Sequence, residues 1–491
     1  MKILFIMRHA MYVRNFESVI AELCRRGHSV RLGFTSSREG VHDAQPKRLA
    51  QELSGFSYEY YPSRGDAWRV FATGVRNLLD YLRYLHPRYA NAQKLRERAA
   101  TRIPTPVRSI LSWPLVRRAV ESGLLGRSLH AMENAIPADR AITGILRAEL
   151  PDIVLVTPLV DLGSNEIDYL KAARIMRLPT GLCVASWDNL TNKGIIQIEP
   201  DSVFVWNEAM QTEAVELHGM SPDRVEVTGA PIFDHWFVQT HRYGRSDFCD
   251  RLGLDPRVPY IVYLCSSTFI ASEETRFVKN WIGAVRASGK SPLAQVGIVI
   301  RPHPANARQW MEADFKDLSN LVIWPRAGSH PIDDSTKADY FDTIYHSAAV
   351  MGINTSAFIE SGIMGRPCLT ILSPEFAHTQ GGTLHFRHIA EGGLLYVASG
   401  IAEHLGQLDG ILNGHDPDRE KRSRFLKDFL RPQGLDSSST PIYVEAILKL
   451  TRMERSDPKH AFPAPLRQAF RLLLFPVALS LLAFQKPNPR S

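Results

Sequence analysis

Short apolar runs recur along this chain, and most stop abruptly at a polar turn. Lys2–Met7 reads as a buried strand and Arg8–Asn15 as a polar loop. Phe16–Arg26 then has helical spacing, with Phe16, Val19, Ile20 and Leu23 on one face; Gly27-His28 ends it, and Ser29–Phe34 is a second strand. Strand, loop, helix, strand is the start of a doubly wound α/β domain. The first loop has no G-x-G-x-x-G, so the dinucleotide fingerprint is absent there. Strand-like runs return at Ile153–Val156, Thr180–Ala185 and Ser202–Val205, and from Val225 to a turn at Gly229-Ala230-Pro231. The pattern then restarts with Tyr260–Cys265, Val296–Ile300, Leu321–Trp324, Ala348–Ile353, Cys368–Leu372 and Leu394–Val397. This predicts an α/β protein of two successive Rossmann-like domains, residues 1–228 and 229–436.

Two stretches break the alternation. Residues 83–140 are basic and helix-like: Lys94 to Arg140 holds nine Lys/Arg against four Asp/Glu, with Trp113, Leu115, Val116, Leu124 and Leu125 among them. The segment is either a solvated helical insertion or a lid or surface facing a membrane or an acceptor. At the other end, Pro441–Leu450 reads as a helix closing the globular body within 437–453, before a tail over 454–491. In that tail, Arg467–Phe484 is strongly apolar, with about thirteen near-continuous apolar positions in Leu472–Phe484, broken by Pro476. That falls short of a membrane-spanning helix. A monotopic anchor with Arg467, Arg471 and Lys486 at the headgroups is one reading, and a helix docked on the protein's own surface is the other.

Composition narrows the class. At 491 residues the chain is too long for one ordinary core, and 44% hydrophobic with 22% charged residues is globular usage. The formal charge of +7 suits a nucleotide or an anionic membrane. Nucleic acid is disfavoured, because there is no Arg/Gly tract, aromatic–basic ribbon or binding motif. The five cysteines, Cys24, Cys183, Cys249, Cys265 and Cys368, are scattered and form no C-x-x-C pair. This argues for a reducing compartment and against structural zinc. Ile3–Met7 is too short for a signal-peptide core, so a cytoplasmic location is expected, at the inner face of the cytoplasmic membrane if the tail anchors there.

Candidate chemistry gathers in the second domain. Four loops follow its predicted strands: Ser266-Ser267-Thr268, Arg301-Pro302-His303-Pro304, Asn354-Thr355-Ser356, and Gly381–Arg387, which contains His385 and Arg387. In a parallel sheet such loops converge beyond the strand carboxyl ends, where ligands bind. Their hydroxyls, arginines and histidines suit an anionic, hydroxyl-rich ligand. The run Gly352–Ile371 reads as strand, polar turn, short helix, turn and strand, so Ser356 would sit at a helix N-terminus and Glu360 about one turn on.

Together, Val227–Asp234, Ile300-Arg-Pro-His-Pro304 and Gly352–Ile371 resemble the donor-binding half of GT-B glycosyltransferases, specifically bacterial enzymes of surface polysaccharide synthesis such as those of capsule and lipopolysaccharide. The Arg-x-His-Pro segment is also similar to CDP-glycerol glycerophosphotransferases. Phe429–Asp436 with Ser439-Thr-Pro441 looks like a C-terminal signature of some polysaccharide-biosynthesis relatives. The resemblance implies two domains facing a cleft, acceptor on the first and nucleotide-sugar donor on the second. It implies donor contacts from Ser267, Thr268, Arg301, His303, Asn354, Thr355, Ser356, Glu360, His385 and Arg387, and no metal or other cofactor. The only Asp-x-Asp of interest, Asp416-Pro-Asp418, is expected in a solvated loop.

An inverting transferase needs a general base on the acceptor side. His9 after the first strand and Asp188 within Ser186–Gly194 are the candidates, with Trp187, Asn189 and Arg14 as acceptor-side neighbours. A retaining enzyme needs neither as a base. The alternatives are glycerol phosphate transfer from CDP-glycerol, a UDP-sugar 2-epimerase of the same fold, and a non-catalytic nucleotide-binding scaffold. The epimerase reading is weakened because Arg8-His9-Ala10-Met11 stands where a Gly-Thr-Arg-Pro-Glu-type loop is expected.

Overall fold

The computed structural model describes residues 1–35, 43–315, 318–453 and 464–484. Continuous apolar runs become strands of parallel sheets buried on both faces, as such runs require. The first sheet has β1 (Lys2–Met7), β2 (Ser29–Phe34), β3 (Phe56–Tyr60), β4 (Ile153–Thr157), β5 (Thr180–Cys183), β6 (Ser202–Val205) and β7 (Val225–Val227). Their order is β3-β2-β1-β4-β5-β6-β7, and every pairing is parallel. The second has β8 (Tyr260–Leu264), β9 (Gly297–Arg301), β10 (Leu321–Ile323), β11 (Ala349–Gly352), β12 (Cys368–Ile371) and β13 (Leu395–Ala398), ordered β10-β9-β8-β11-β12-β13, again all parallel. Each sheet reverses direction of growth once, between β1 and β4 and between β8 and β11. Those switch points are where doubly wound folds open a crevice.

The chain divides into two compact Rossmann-like units, a GT-B-like fold. One is Met1–Ile232 joined by the residues from Asp436 onward; the other is Phe233–Leu435. The Ser439–Lys449 helix belongs to the first unit. Tyr443, Val444 and Ile447 enter the core built by Phe5, Phe16 and Phe204, and the Thr440 hydroxyl donates to Ser18 Oγ at 2.8 Å.

Three sequence expectations are corrected. Arg8–Asn15 is not a loop throughout: Ala10–Tyr12 is a 3-10 turn and the first helix already begins at Val13. The reason is tertiary, since Val13 is fully buried and Asn15 Nδ2 donates to the Ala185 carbonyl at 2.9 Å. Pro476 does not break the C-terminal apolar segment; one helix runs Ala464–Phe484 through it, and Pro465–Ala483 is long and apolar enough to cross a membrane by length and composition. A proline costs a helix one hydrogen bond without always ending it. Asp416, expected in a solvated loop, is half-buried: it accepts from Tyr396 Oη at 2.7 Å and pairs with Arg422 at 2.5 Å. The expected 83–140 insertion is a run of helices, Gln93–Ala100, Thr105–Leu111, Pro114–Glu121 and Leu124–Ala135. Lys486 lies outside the described residues.

Two buried histidines make the fold acid-sensitive. His218 Nδ1 accepts from Ile196 N at 3.0 Å, so Nε2 carries the proton donated to Leu190 O at 2.8 Å. His404 Nε2 accepts from the Trp281 indole at 2.9 Å. Burial, with Arg83 adding to it at His218, pushes these imidazoles down to about 3 and about 4. The unfolded chain binds their protons at the ordinary 6.5 and the folded chain does not. Stability is therefore full above that value and is lost as pH falls toward the folded values. Unfolding followed by circular dichroism is expected to show that these two imidazoles cost about 2 kcal/mol or more between about pH 6.5 and about pH 4.5, read as the difference between wild type and a His218→Gln, His404→Gln variant, because the raised carboxyls of Glu274 and Asp80 move the wild-type profile the other way. A difference between the two proteins that stays constant across that window would sink the assignment.

Candidate functional site

The switch point of the first sheet carries a charged cluster. Arg8, leaving β1, grips Glu166 in a fork, Nε to Oε1 at 3.3 Å and Nη2 to Oε2 at 3.0 Å, and reaches Asp161 Oδ2 through Nη1 at 3.0 Å. Thr35, after β2, donates to Glu166 Oε1 at 2.9 Å. Asp161, in the loop after β4, also meets Lys193 Nζ at 3.3 Å and the Tyr12 hydroxyl at 3.4 Å. His9 stacks on Tyr12 with ring centroids 4.7 Å apart. Tyr12 is within electrostatic reach of Asp188, and Asp161 of His9, so both base candidates adjoin this cluster.

Charge balance follows from burial and pairing. Burial pushes the Asp161 carboxyl up, but Lys193 and then Arg8 outweigh it and hold it below the usual carboxylate range. Burial and then Asp161 push the Tyr12 phenol well up, so it stays a donor. Burial works against the Arg8 guanidinium, yet Glu166 and Asp161 keep it charged.

A buried carboxylate holds the two loops that carry this cluster. Asp80, on the Arg69–Arg83 helix, accepts from Gly163 N at 2.8 Å, Ile195 N at 3.0 Å and Gln197 Nε2 at 3.0 Å. Those donors lie just beyond Asp161 and Lys193. A Cβ on Gly194 would sit 2.4 Å from Asp80 Oδ1, so only glycine admits this close approach.

The other residues expected on the acceptor side differ in access. Arg14 is exposed on the first turn of its helix. Trp187 and Asn189 are each only 4% exposed, so neither presents a broad face for a sugar to stack on. Asp188 is half-buried at the start of the Asn189–Asn192 helical turn, where its carbonyl accepts from Asn192 N at 2.9 Å.

At the second sheet, the loops after β8, β9, β11 and β12 are bonded to one another. The Thr268 hydroxyl donates to Ala305 O at 3.0 Å, and Asn306 Nδ2 to Ser266 O at 3.2 Å and Ala271 O at 2.8 Å. Asn354 Nδ2 donates to Thr379 O at 2.6 Å, and the Thr379 hydroxyl to Ile270 O at 2.9 Å. Glu274 braces the β8 end by accepting from Ser266 N at 2.8 Å and Tyr263 Oη at 2.9 Å; burial pushes its carboxyl up to about 7.

Within this rim the predicted residues separate into three groups by exposure. Ser267, His303, Thr355 and Glu360 are half-buried, while Thr268, Ser356 and Arg387 are exposed; Asn354, Arg301 and His385 are buried. His303 Nδ1 accepts from Ala305 N at 3.1 Å, and the two prolines flanking it fix the turn. Thr355, not Ser356, makes the side-chain bond at the start of the Ala357–Ile363 helix, accepting from Ala357 N at 3.3 Å. Arg301 donates to Asp339 at 3.2 Å and Thr343 Oγ1 at 2.9 Å, with its guanidinium 4.9 Å from the Tyr340 ring centroid. Tyr340 in turn donates to Glu360 Oε2. Arg301 thus orients Glu360 through Tyr340.

Sequence reasoning missed Arg8, Tyr12, Asp161, Glu166, Lys193 and Asp80. The one local signal was the polar break after the Ile153–Val156 run, at the residues leading to Asp161.

No family model and no curated protein sequence matches this chain. Solved structures match it by fold. A UDP-GlcNAc 2-epimerase from Methanocaldococcus jannaschii is 12% identical, with a TM-score of 0.52 over 91% of this chain and 99% of that one. A glycosyltransferase from Rickettsia africae is 10% identical, with a TM-score of 0.53 over 92% and 99%. A Neisseria meningitidis UDP-GlcNAc 2-epimerase bound to UDP-GlcNAc is 13% identical, with a TM-score of 0.50 over 91% and 100%. At these identities the likeness is one of fold.

Proposed function

We propose that this protein is a glycosyltransferase that moves a sugar from a nucleotide-activated donor to a glycan or lipid-linked acceptor hydroxyl. The observation that carries the reading is the rim of the second sheet, where four mutually bonded loops bring hydroxyls, an imidazole and an oriented carboxylate to a switch point. The donor diphosphate is received by Ser267, Thr268, His303, Thr355 and Ser356, with Arg387 adding positive charge. Glu360 accepts from ribose or sugar hydroxyls. Arg301, Asn354 and His385 position this rim from its buried side. As the anomeric C–O bond breaks, charge develops on the leaving diphosphate, and these donors stabilise it.

On the first unit, His9 or Asp188 takes the acceptor hydroxyl proton while that oxygen bonds to the anomeric carbon. Asp161, held ionised, orients the acceptor. The five cysteines are unbridged and buried, in keeping with a reducing compartment.

A thermal-shift screen against UDP-, GDP-, CMP-, CDP- and dTDP-linked donors tests the reading. A matching donor at a hundred times its Kd raises stability by about 2.7 kcal/mol. His303→Ala and Glu360→Ala are expected to weaken that donor about tenfold each in calorimetry, with the fold intact. Unchanged affinity in both would remove the donor site from this rim. Mass analysis of the products separates the chemistry. Sugar on an added acceptor supports transfer, whereas a 2-epimer formed from UDP-GlcNAc alone, or glycerol phosphate moved from CDP-glycerol, replaces it.

A further inference from the structure

We propose that the C-terminal helix and the basic helical insertion form one surface that seats on an anionic phospholipid bilayer. The Ala464–Phe484 helix docks on the first unit by a narrow stripe. Ala478 is fully buried and Leu474 packs into the cluster of Trp68, Phe71, Val75 and Leu129. Arg471 Nε donates to the Ala135 carbonyl at 2.7 Å, and Phe475 meets Trp68 with centroids 5.6 Å apart. The spacing 471, 474, 475, 478 is one helical face.

Much of the rest of the helix is apolar and open to solvent. Leu472 and Leu473 are each 72% exposed, and Leu466, Val477, Leu479 and Leu481 are exposed as well. An apolar patch of that extent on a water-facing surface marks an interaction site. The Leu124–Ala135 helix packs against both the C-terminal helix and the Pro114–Glu121 helix. That last helix and its approach add Ile110, Trp113 and Leu115, the last 77% exposed. Two apolar faces far apart in sequence thus share one supporting helix.

Charge on this surface selects the occupant. Arg102, Arg108, Arg117, Arg118, Arg127 and Arg467 are all exposed, and the Ala464–Phe484 helix contains no acidic residue. Leucines beside arginines, with a tryptophan at their edge, match the acyl boundary and headgroups of an anionic leaflet. The helix lies along the surface, because crossing the bilayer would strip the cover from Trp68, Phe71 and Leu129.

Flotation of the full-length protein with phosphatidylcholine vesicles, with and without phosphatidylglycerol, is the test. Wild type is expected to float with the anionic vesicles, less so at high salt. Leu472→Asp with Leu473→Asp is expected to lower that partitioning about tenfold or more, because both side chains are exposed and their loss leaves the core intact. Arg117→Ala with Arg118→Ala is expected to remove much of the preference for the anionic vesicles. Wild type that stays in the soluble fraction with both compositions overturns the proposal. So does a Leu472→Asp, Leu473→Asp variant that floats as wild type does. A concentration-dependent dimer abolished by the two aspartates, without flotation, assigns the face to a second copy and also overturns it. Donor binding measured on the same variants is expected to be unchanged, so this proposal and the donor site fail separately.

Discussion

Asp168→Ala is expected to lower the unfolding free energy of the first unit by about 3–5 kcal/mol, the cost of stranding buried charge. Asp168 is fully buried on the Glu166–Ile175 helix and accepts from Arg64 Nη1 at 2.9 Å and from both terminal nitrogens of Arg76 at 2.8 Å. Arg76 also reaches Glu133 at 3.1 Å, and Lys171 pairs with Glu133 at 2.8 Å. Arg64 also forks onto Asp66 at 2.7 Å, so three cations and three carboxylates are packed together and their charges balance. Removing one carboxylate leaves two guanidiniums without their shared partner and outside the reach of water.

Burial pushes the Asp168 carboxyl up, but Arg76 and then Arg64 overcome it and hold the group down at about 2. A depressed carboxyl contributes stability that is complete above its unfolded value, 3.8, and is lost as pH falls through about 2. The contribution is therefore full at neutral pH. Urea unfolding of Asp168→Ala beside wild type at pH 7 measures it, and a difference under about 1 kcal/mol would rule out a structural role of this size. The same network joins three helices: Arg69–Arg83, which carries Asp80, Leu124–Ala135, which supports the C-terminal helix, and Glu166–Ile175, which follows the loop from β4. Its loss is expected to weaken vesicle binding as well.

The second large effect concerns Asp161. With transfer established, Asp161→Asn is expected to cut kcat by about a hundredfold or more while donor affinity stays within about twofold of wild type. The amide keeps the shape but removes the negative charge that Arg8 and Lys193 surround. Donor affinity is unaffected because the donor is assigned to the other unit. Steady-state kinetics and calorimetry on one preparation separate the two quantities. A variant that loses donor affinity and kcat together would show that Asp161 holds donor; one that loses neither would remove it from the reaction. His9→Ala and Asp188→Ala in the same assay identify the base, since only the base is expected to cost about a hundredfold to ten-thousandfold alone.

Much of the second unit's rim was legible because its information is local. Ser266-Ser267-Thr268, Arg301-Pro302-His303 and Asn354-Thr355-Ser356 each follow an apolar run directly, and a parallel sheet brings such ends to one edge. What stayed hidden was how those side chains are used. Thr355, beside Ser356, makes the side-chain bond at the helix start, and Glu360 accepts from Tyr340 on another helix. The first unit's cluster was harder. Arg8, Thr35, Asp161 and Lys193 are spread over four loops, and no spacing rule joins them. The edge strand β3 went unread because its half-buried Phe56–Tyr60 lacks a continuous apolar run.

The apolar runs and their breaks point to buried parallel sheets, because each run is too short for a helix and most are apolar on both faces of the strand. Strand spans read from them agree with the structure to within about two residues over most of both sheets, as local patterning allows. Strand order, and hence the switch points at β1/β4 and β8/β11, came only from the tertiary structure. So did the fate of Pro476, of the Asp161 cluster and of the buried charges around Asp168. These depend on long-range partners that bury, pair or brace a side chain, and such partners leave no periodic mark in the sequence.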